Sequence, residues 1–158
     1  MARHHVEHTT FVIERALPGS VRHAFRFWAE PKLKEIWNAC HAEWTLLEDR
    51  FDFVSGGSEA KRWRTPDGKE LTYNALYLEV VPEERILYAY EMSFDEERLS
   101  ASLVTIEFSS RGGQAHVKFT EQAAFLAGEG AREQRIQGTQ EGLDRLVDAI
   151  VQESVHDA

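Results

Sequence analysis

The sequence predicts an α+β domain in which an amphipathic C-terminal helix packs against a curved antiparallel sheet. Three observations carry that prediction. From residue 42 to residue 121 the chain reads as β-rich segments divided by short clusters of Gly, Pro and Asp. Several of those segments are apolar on both sides, and the chain ends in a run with one apolar stripe at helical spacing. Connections this short favour antiparallel neighbours, because a parallel crossover needs ~12 residues or more.

Taken in order, Thr9–Ala16 alternates, with Phe11 and Ile13 on one side and Val12 on the other, and predicts a first strand ended by Leu17-Pro18-Gly19. Ser20 is placed to cap a helix from Val21, in which Val21, Ala24, Phe25 and Trp28 recur at three- and four-residue steps. Pro31 suits the first turn of a second short helix through Trp37, where its missing N–H is not needed. Strands follow near 42–48, 51–55, 59–65, 71–80, 84–92, 100–109 and 114–123. In the 71–80 strand Tyr73, Ala75 and Tyr77 share one face, and Leu76, Leu78 and Val80 the other. Neither face is polar, so the sheet is expected to curve or to be extensively covered. The last element runs from about Glu129 to about Gln152, with Ile136, Leu143, Leu146, Val147 and Ile150 on the stripe. Gly138 and Gly142 lie one turn apart in it, and each weakens a helix by ~1 kcal/mol relative to alanine. Close packing against the sheet is the plainer reading of the pair; a gap for a ligand is the sharper one. Residues 9–152 are expected to form a single domain, with flexible termini at 1–8 and 153–158.

Composition narrows the function classes. With 42% hydrophobic and 28% charged residues, the 158-residue chain is that of a globular protein with one core. Its formal charge of -9 opposes nonspecific attraction to nucleic acid or anionic lipid, so neither partner is expected. The dense basic run is KRWR at 61–64, which reads as a solvated strand with a snorkelling aromatic rather than an anion contact. A lone Cys40, no leader-like segment and no ~20-residue apolar span together predict a cytoplasmic location.

No nucleophile elbow, dinucleotide loop, phosphate loop or zinc-protease motif is present, and no cofactor is predicted. His4, His5 and His8 precede the first strand, while His23 and His116 lack a ligand spacing, so no metal site is predicted. Cys40 beside His41 does not by itself make a catalytic pair. The distinctive resource is aromatic. Trp37, Trp44, Trp63, Tyr73, Tyr77, Tyr90 and Phe119 are candidates to line an amphipathic pocket, with Met92 as an adaptable wall. His41 and Glu121 are the candidate acid–base groups, flanking strands that could face such a pocket. Arg135 is a candidate to pair with Glu121 or to guide an acidic ligand, against a plainer expectation of solvent exposure.

Four spaced segments then resemble one family. ALPGSVRHAFRFWAEPKLKEIW at 16–37, FDFVSGGSEAKRWRTPDGKE at 51–70, YLEVVPEERILYAYEM at 77–92 and QGTQEGLDRLVDAI at 137–150 resemble the proteins like the activator of Hsp90 ATPase homolog, within the START-like, polyketide-cyclase-like superfamily. Phe25, Trp28, Pro31 and Trp37 match the family's first helices; Gly56 and Gly57 its hairpin; Trp63 and Asp67-Gly68 its aromatic and turn; Glu79, Pro82 and Ile86 its next turn. The family's Gly-Trp pair before the last helical run meets Gly138-Thr139, so an indole bordering the cavity is replaced, making Thr139 a candidate ligand contact. The arginine common before the paired glycines is also missing, at Ser55. The resemblance implies a helix-grip fold and a range of roles rather than one activity. The leading expectation is binding of a small, partly apolar or amphipathic molecule between sheet and helix. The alternatives are a cyclase-like or hydrolase-like enzyme and a co-chaperone-like module, with a chaperone or a second copy of the chain as partner.

Overall fold

A computed structural model describes residues 5–38 and 41–156, with side chains as far as Glu153. The elements are β1 (Glu7–Leu17), α1 (Val21–Ala29), α2 (Pro31–Trp37), β2 (Thr45–Phe51), β3 (Ser58–Arg64), β4 (Glu70–Val81), β5 (Arg85–Phe94), β6 (Glu97–Arg111), β7 (Gln114–Phe125) and α3 (Ala131–His156). The strands form one antiparallel sheet in the order β1-β7-β6-β5-β4-β3-β2. β2 to β7 are thus a meander, β1 pairs with β7, and the α1–α2 pair carries the chain from one edge to the other. α3 leaves β7 and contacts β1, α1 and α2. A curved sheet gripping a long C-terminal helix is the α+β, helix-grip arrangement that the sequence predicts.

The two short helices plug one end of the sheet, and their boundaries follow from local chemistry. Ser20 Oγ accepts the His23 N–H at 3.1 Å, satisfying one of the amides that every helix start leaves open. Pro31 stands at the start of α2. The Trp37 indole N–H donates to the Phe27 carbonyl at 2.8 Å and its ring meets Trp28 edge-on, which fixes α2 against α1. Phe25 and Trp28 in turn pack on Phe108 of β6, with ring centroids 5.4 and 5.0 Å apart. The deepest side chains, including Leu17, Phe27, Ile86, Ile106, Leu146 and Ile150, are fully buried and join all these layers. Each such side chain contributes roughly 1.5–3 kcal/mol by leaving water.

Two details differ from the sequence reading. In place of the two strands expected at 42–48 and 51–55 there is one, β2, which ends at Phe51, and Glu48-Asp49 lies inside it beside a bulge between Leu46 and Glu48. β2 is an edge strand, so this acidic pair meets solvent and the basic side chains of β3 instead of forcing a turn. The turn comes later, at residues 52–57, where a Cβ on Gly57 would lie only 2.2 Å from the Asp52 carbonyl oxygen. Only glycine fits that approach. The second difference is Val80, which does not share the outer face with Leu76 and Leu78. A register shift between Tyr77 and Glu79 reverses the alternation, so Val80 packs against the core while Leu76 and Leu78 stay about half exposed.

Candidate functional site

The inner face of the sheet does not close on α3. Between them lies a cavity of about 560 Å³, within the range of small-molecule pockets. Its sheet wall is built by alternation: Tyr73 and Tyr77 of β4 and Tyr88 and Tyr90 of β5 point to one side because they sit at even spacing along paired strands. These are all four tyrosines of the chain. Adjacent rings lie 5.2 to 5.9 Å apart, as Tyr73–Tyr90, Tyr77–Tyr88 and Tyr88–Tyr90.

Nine of the ten candidate ligand contacts line this cavity: Trp37, Trp63, Tyr73, Tyr77, Tyr90, Met92, Phe119, Arg135 and Thr139. Glu121 lines it as well. Trp44 and His41 do not. Their rings meet at a tilt, 4.6 Å apart, in the turn before the edge strand β2, where His41 is exposed, so the chain does not bring that imidazole to Glu121. His4 and Cys40 lie outside the described residues. Among the described residues no group of His, Cys, Asp and Glu could hold a metal ion, and no helix is long and apolar enough to cross a membrane.

Two buried polar clusters stand on the cavity wall. In the first, Glu121 is 1% exposed, and its Oε2 accepts from the Tyr90 hydroxyl at 2.6 Å, the Ser102 hydroxyl at 2.7 Å and the Arg135 guanidinium at 3.0 Å. Arg135 also donates to Tyr90 and Ser100, each at 2.6 Å, and lies over the rings of Tyr90 and Phe125. Arg135 is therefore a structural partner of Glu121, not the solvated side chain that helix periodicity suggests. In the second cluster Lys34 Nζ donates to Glu59 Oε1 at 2.5 Å, which also accepts from the Tyr77 hydroxyl at 2.8 Å. Burial pushes the Lys34 ammonium below the ordinary lysine range, with Glu59 opposing that shift. Burial likewise raises all four tyrosines above the ordinary phenol range, and the nearby carboxylates add to it. Tyr77 and Tyr90 are thus committed to carboxylates. Tyr73 and Tyr88 are not: neither hydroxyl has a hydrogen-bond partner among the described residues.

The glycines of α3 resolve the other way from the plainer reading. Gly138 and Gly142 line the cavity rather than touching the sheet. A Cβ at Gly138 would meet nothing within 4 Å, and one at Gly142 would meet only the Arg145 side chain at 3.6 Å. Their missing side chains are cavity space. Gly138→Ala is accordingly expected to raise stability by up to ~1 kcal/mol, seen as an increase of about 2–4 °C in the melting temperature, since it removes a helix penalty without a clash.

Sequence reasoning missed Lys34, Glu59, Tyr88 and the serines. Tyr88 was within reach, two residues before Tyr90 on the same strand and hence on the same face. Lys34 was not, because the apolar Leu33, Ile36 and Trp37 of α2 point to Ile36 as the buried residue. In the fold Ile36 is 48% exposed and Lys34 only 9%, for Glu59 on β3 supplies the partner that makes the burial tolerable.

The pattern of known proteins fits this architecture. Residues 19–153 match the family model described as Activator of Hsp90 ATPase homolog 1-like protein. The chain belongs to that family. Among solved structures, a protein from Rhizobium leguminosarum is 42% identical, with 94% of this chain and 97% of that one covered and a TM-score of 0.86. A second, from Rhizobium loti, is 33% identical over 92% and 99% of the two chains, with a TM-score of 0.85. An AHSA1-like protein from Aeromonas hydrophila, 21% identical over 92% and 94%, shares the fold at a TM-score of 0.67. No curated protein matches the chain. As an AHSA1-like, START-like chain, it has two departures with visible consequences. Ser55, where arginine is common, accepts the Val80 N–H at 2.9 Å and ties the glycine turn to β4. Thr139, where the family has tryptophan, turns its hydroxyl back to the Arg135 carbonyl at 2.8 Å and leaves the cavity wider than an indole would.

Proposed function

We propose that the protein binds a small, partly apolar organic molecule in the cavity between the sheet and α3. The observation that carries this reading is the pair of unpartnered hydroxyls, Tyr73 and Tyr88, on the wall of a roughly ligand-sized aromatic cavity. Both hydroxyls face the open cavity instead of a protein partner, so a bound molecule can take hydrogen bonds there that water otherwise makes. The aromatic walls supply affinity through apolar burial, and the two hydroxyls supply orientation. Carriage, sensing or sequestration all follow from such binding. The site favours binding over acid–base turnover for a specific reason. Glu121 Oε2 already accepts three hydrogen bonds, and burial beside that carboxylate raises its neighbour Tyr90 above the ordinary phenol range.

Native mass spectrometry of protein exposed to a metabolite extract tests this directly. The expected result is an organic adduct at one per chain. Thr139→Trp, which places an indole where the family has one, is expected to reduce adduct occupancy about tenfold while the protein stays folded, a loss of ~1.4 kcal/mol in binding. The reading is wrong if no adduct forms, or if the adduct is indifferent to that substitution and to Tyr73→Phe with Tyr88→Phe.

A further inference from the structure

We propose that the ligand is an organic acid whose carboxylate is held at the α2 end of the cavity by Arg145 and Lys61. The inference deepens the binding function above and rests on it.

The charges around the cavity have the opposite sign to the chain. Against a net charge of -9, the charged side chains lining the cavity are four cations, Lys34, Lys61, Arg135 and Arg145, and one carboxylate, Glu121. Two of the cations are neutralised within the wall. Arg135 pairs with Glu121 at 3.0 Å, and Lys34 with the fully buried Glu59 at 2.5 Å. The other two are not. Lys61 Nζ is 3.8 Å from Asp49, a carboxylate 43% exposed to solvent, while the Lys61 side chain itself is only 13% exposed. A water-facing partner at that distance returns little of what burying the ammonium costs. Arg145 has no carboxylate partner among the described residues; its Nε donates to the Trp37 carbonyl at 3.2 Å, leaving the rest of the guanidinium fork unused.

These two cations belong to one end of the cavity. Arg145 touches the last residue of α2, and Lys34 lies one turn earlier on that helix. Lys34 is hydrogen-bonded to Glu59, which stands two residues before Lys61 on the same face of β3, so Lys61 belongs to the same end. Excess positive charge is therefore concentrated where Trp37 and Trp63 form the walls. The basic run at 61–64 accounts for half of this arrangement. Strand alternation sends Lys61 and Trp63 to the cavity, while Arg62 and Arg64 turn outward to Glu70. A guanidinium fork with free N–H groups and a partly buried ammonium suit a carboxylate, and its aromatic or alkyl body would then extend over the tyrosines toward Tyr73 and Tyr88.

Calorimetry with matched pairs decides the matter: 2-naphthoic, 4-biphenylcarboxylic and dodecanoic acids, each against its primary amide, at pH 7 and low salt. At least one acid is expected to bind about tenfold or more tightly than its amide, the size of one charge-assisted contact. In Lys61→Gln/Arg145→Gln that preference is expected to fall below about threefold, the acid losing more affinity than the amide, and Arg145→Gln alone, at an exposed position, should show part of the loss. Equal binding of acid and amide, or a preference that survives the double substitution, overturns the carboxylate assignment and leaves the cavity as a neutral-ligand site. Failure of every compound to bind at millimolar concentration overturns the binding function with it.

Discussion

Raising the pH above 10 should unfold this protein cooperatively, and its tyrosines should ionise only as it unfolds. All four tyrosines of the chain line the cavity and are raised above the ordinary phenol value of 10.0. A raised value in the folded state means that the native protein keeps protons the unfolded chain has lost. Stability from these groups is therefore fully present below pH 10 and is lost as pH climbs above it, at about 1.4 kcal/mol per unit for each tyrosine and roughly 5 kcal/mol per unit for the four. Lys34 acts in the opposite direction. Its folded value lies below 10.5, so between the two the unfolded chain holds the extra proton and stability rises with pH; above 10.5 that contribution is constant. The tyrosines thus dominate beyond about pH 10.5. Tyrosinate absorbance near ~295 nm and far-UV circular dichroism, followed together, should change in one step. A gradual rise of tyrosinate absorbance from pH 9.5 in a protein that keeps its circular dichroism would show the rings to be open to solvent.

The other large effect is expected at Arg135. Arg135→Leu should destabilise the fold by ~3–5 kcal/mol, because it leaves the Glu121 carboxylate buried beside two hydroxyls and no countercharge. In urea the midpoint should fall with little change in slope, and the melting temperature should drop by on the order of 10 °C. Arg135→Leu with Glu121→Leu should recover most of the loss, since an apolar pair of similar size needs no countercharge. A double variant as weak as the single would mean that Arg135 matters through packing over Tyr90 and Phe125 rather than through its charge.

Both effects arise from residues whose surroundings the sequence discloses unevenly. The order of elements was legible because it rests on local rules: Ser20 before Val21, Pro31 at the head of α2, turns between alternating strands, a stripe along α3. The aromatic wall was legible for the same reason, since Tyr73, Tyr77 and Tyr90 sit at even spacing on strands. The polar clusters were only half readable. Glu121 and Arg135 stood out as titratable groups on the right elements, yet their convergence with Tyr90, Ser100 and Ser102 spans α3, β5, β6 and β7 and has no sequence spacing. Lys34 with Glu59 is the same case, 25 residues apart and invisible to any periodicity. His41 and Trp44 misled because adjacency to a strand says nothing about which side of an edge the preceding turn falls on.

The open face of α3 at Gly138 and Gly142 ties the proposed occupancy of the cavity to persistence of the folded chain. A helix weakened at two positions and a core left hollow lower the stability of the empty protein, and the binding proposed above would add to it by mass action. At a hundredfold excess of ligand over its dissociation constant the gain is about 2.7 kcal/mol. Under that proposal the amount of folded protein would follow the supply of the ligand.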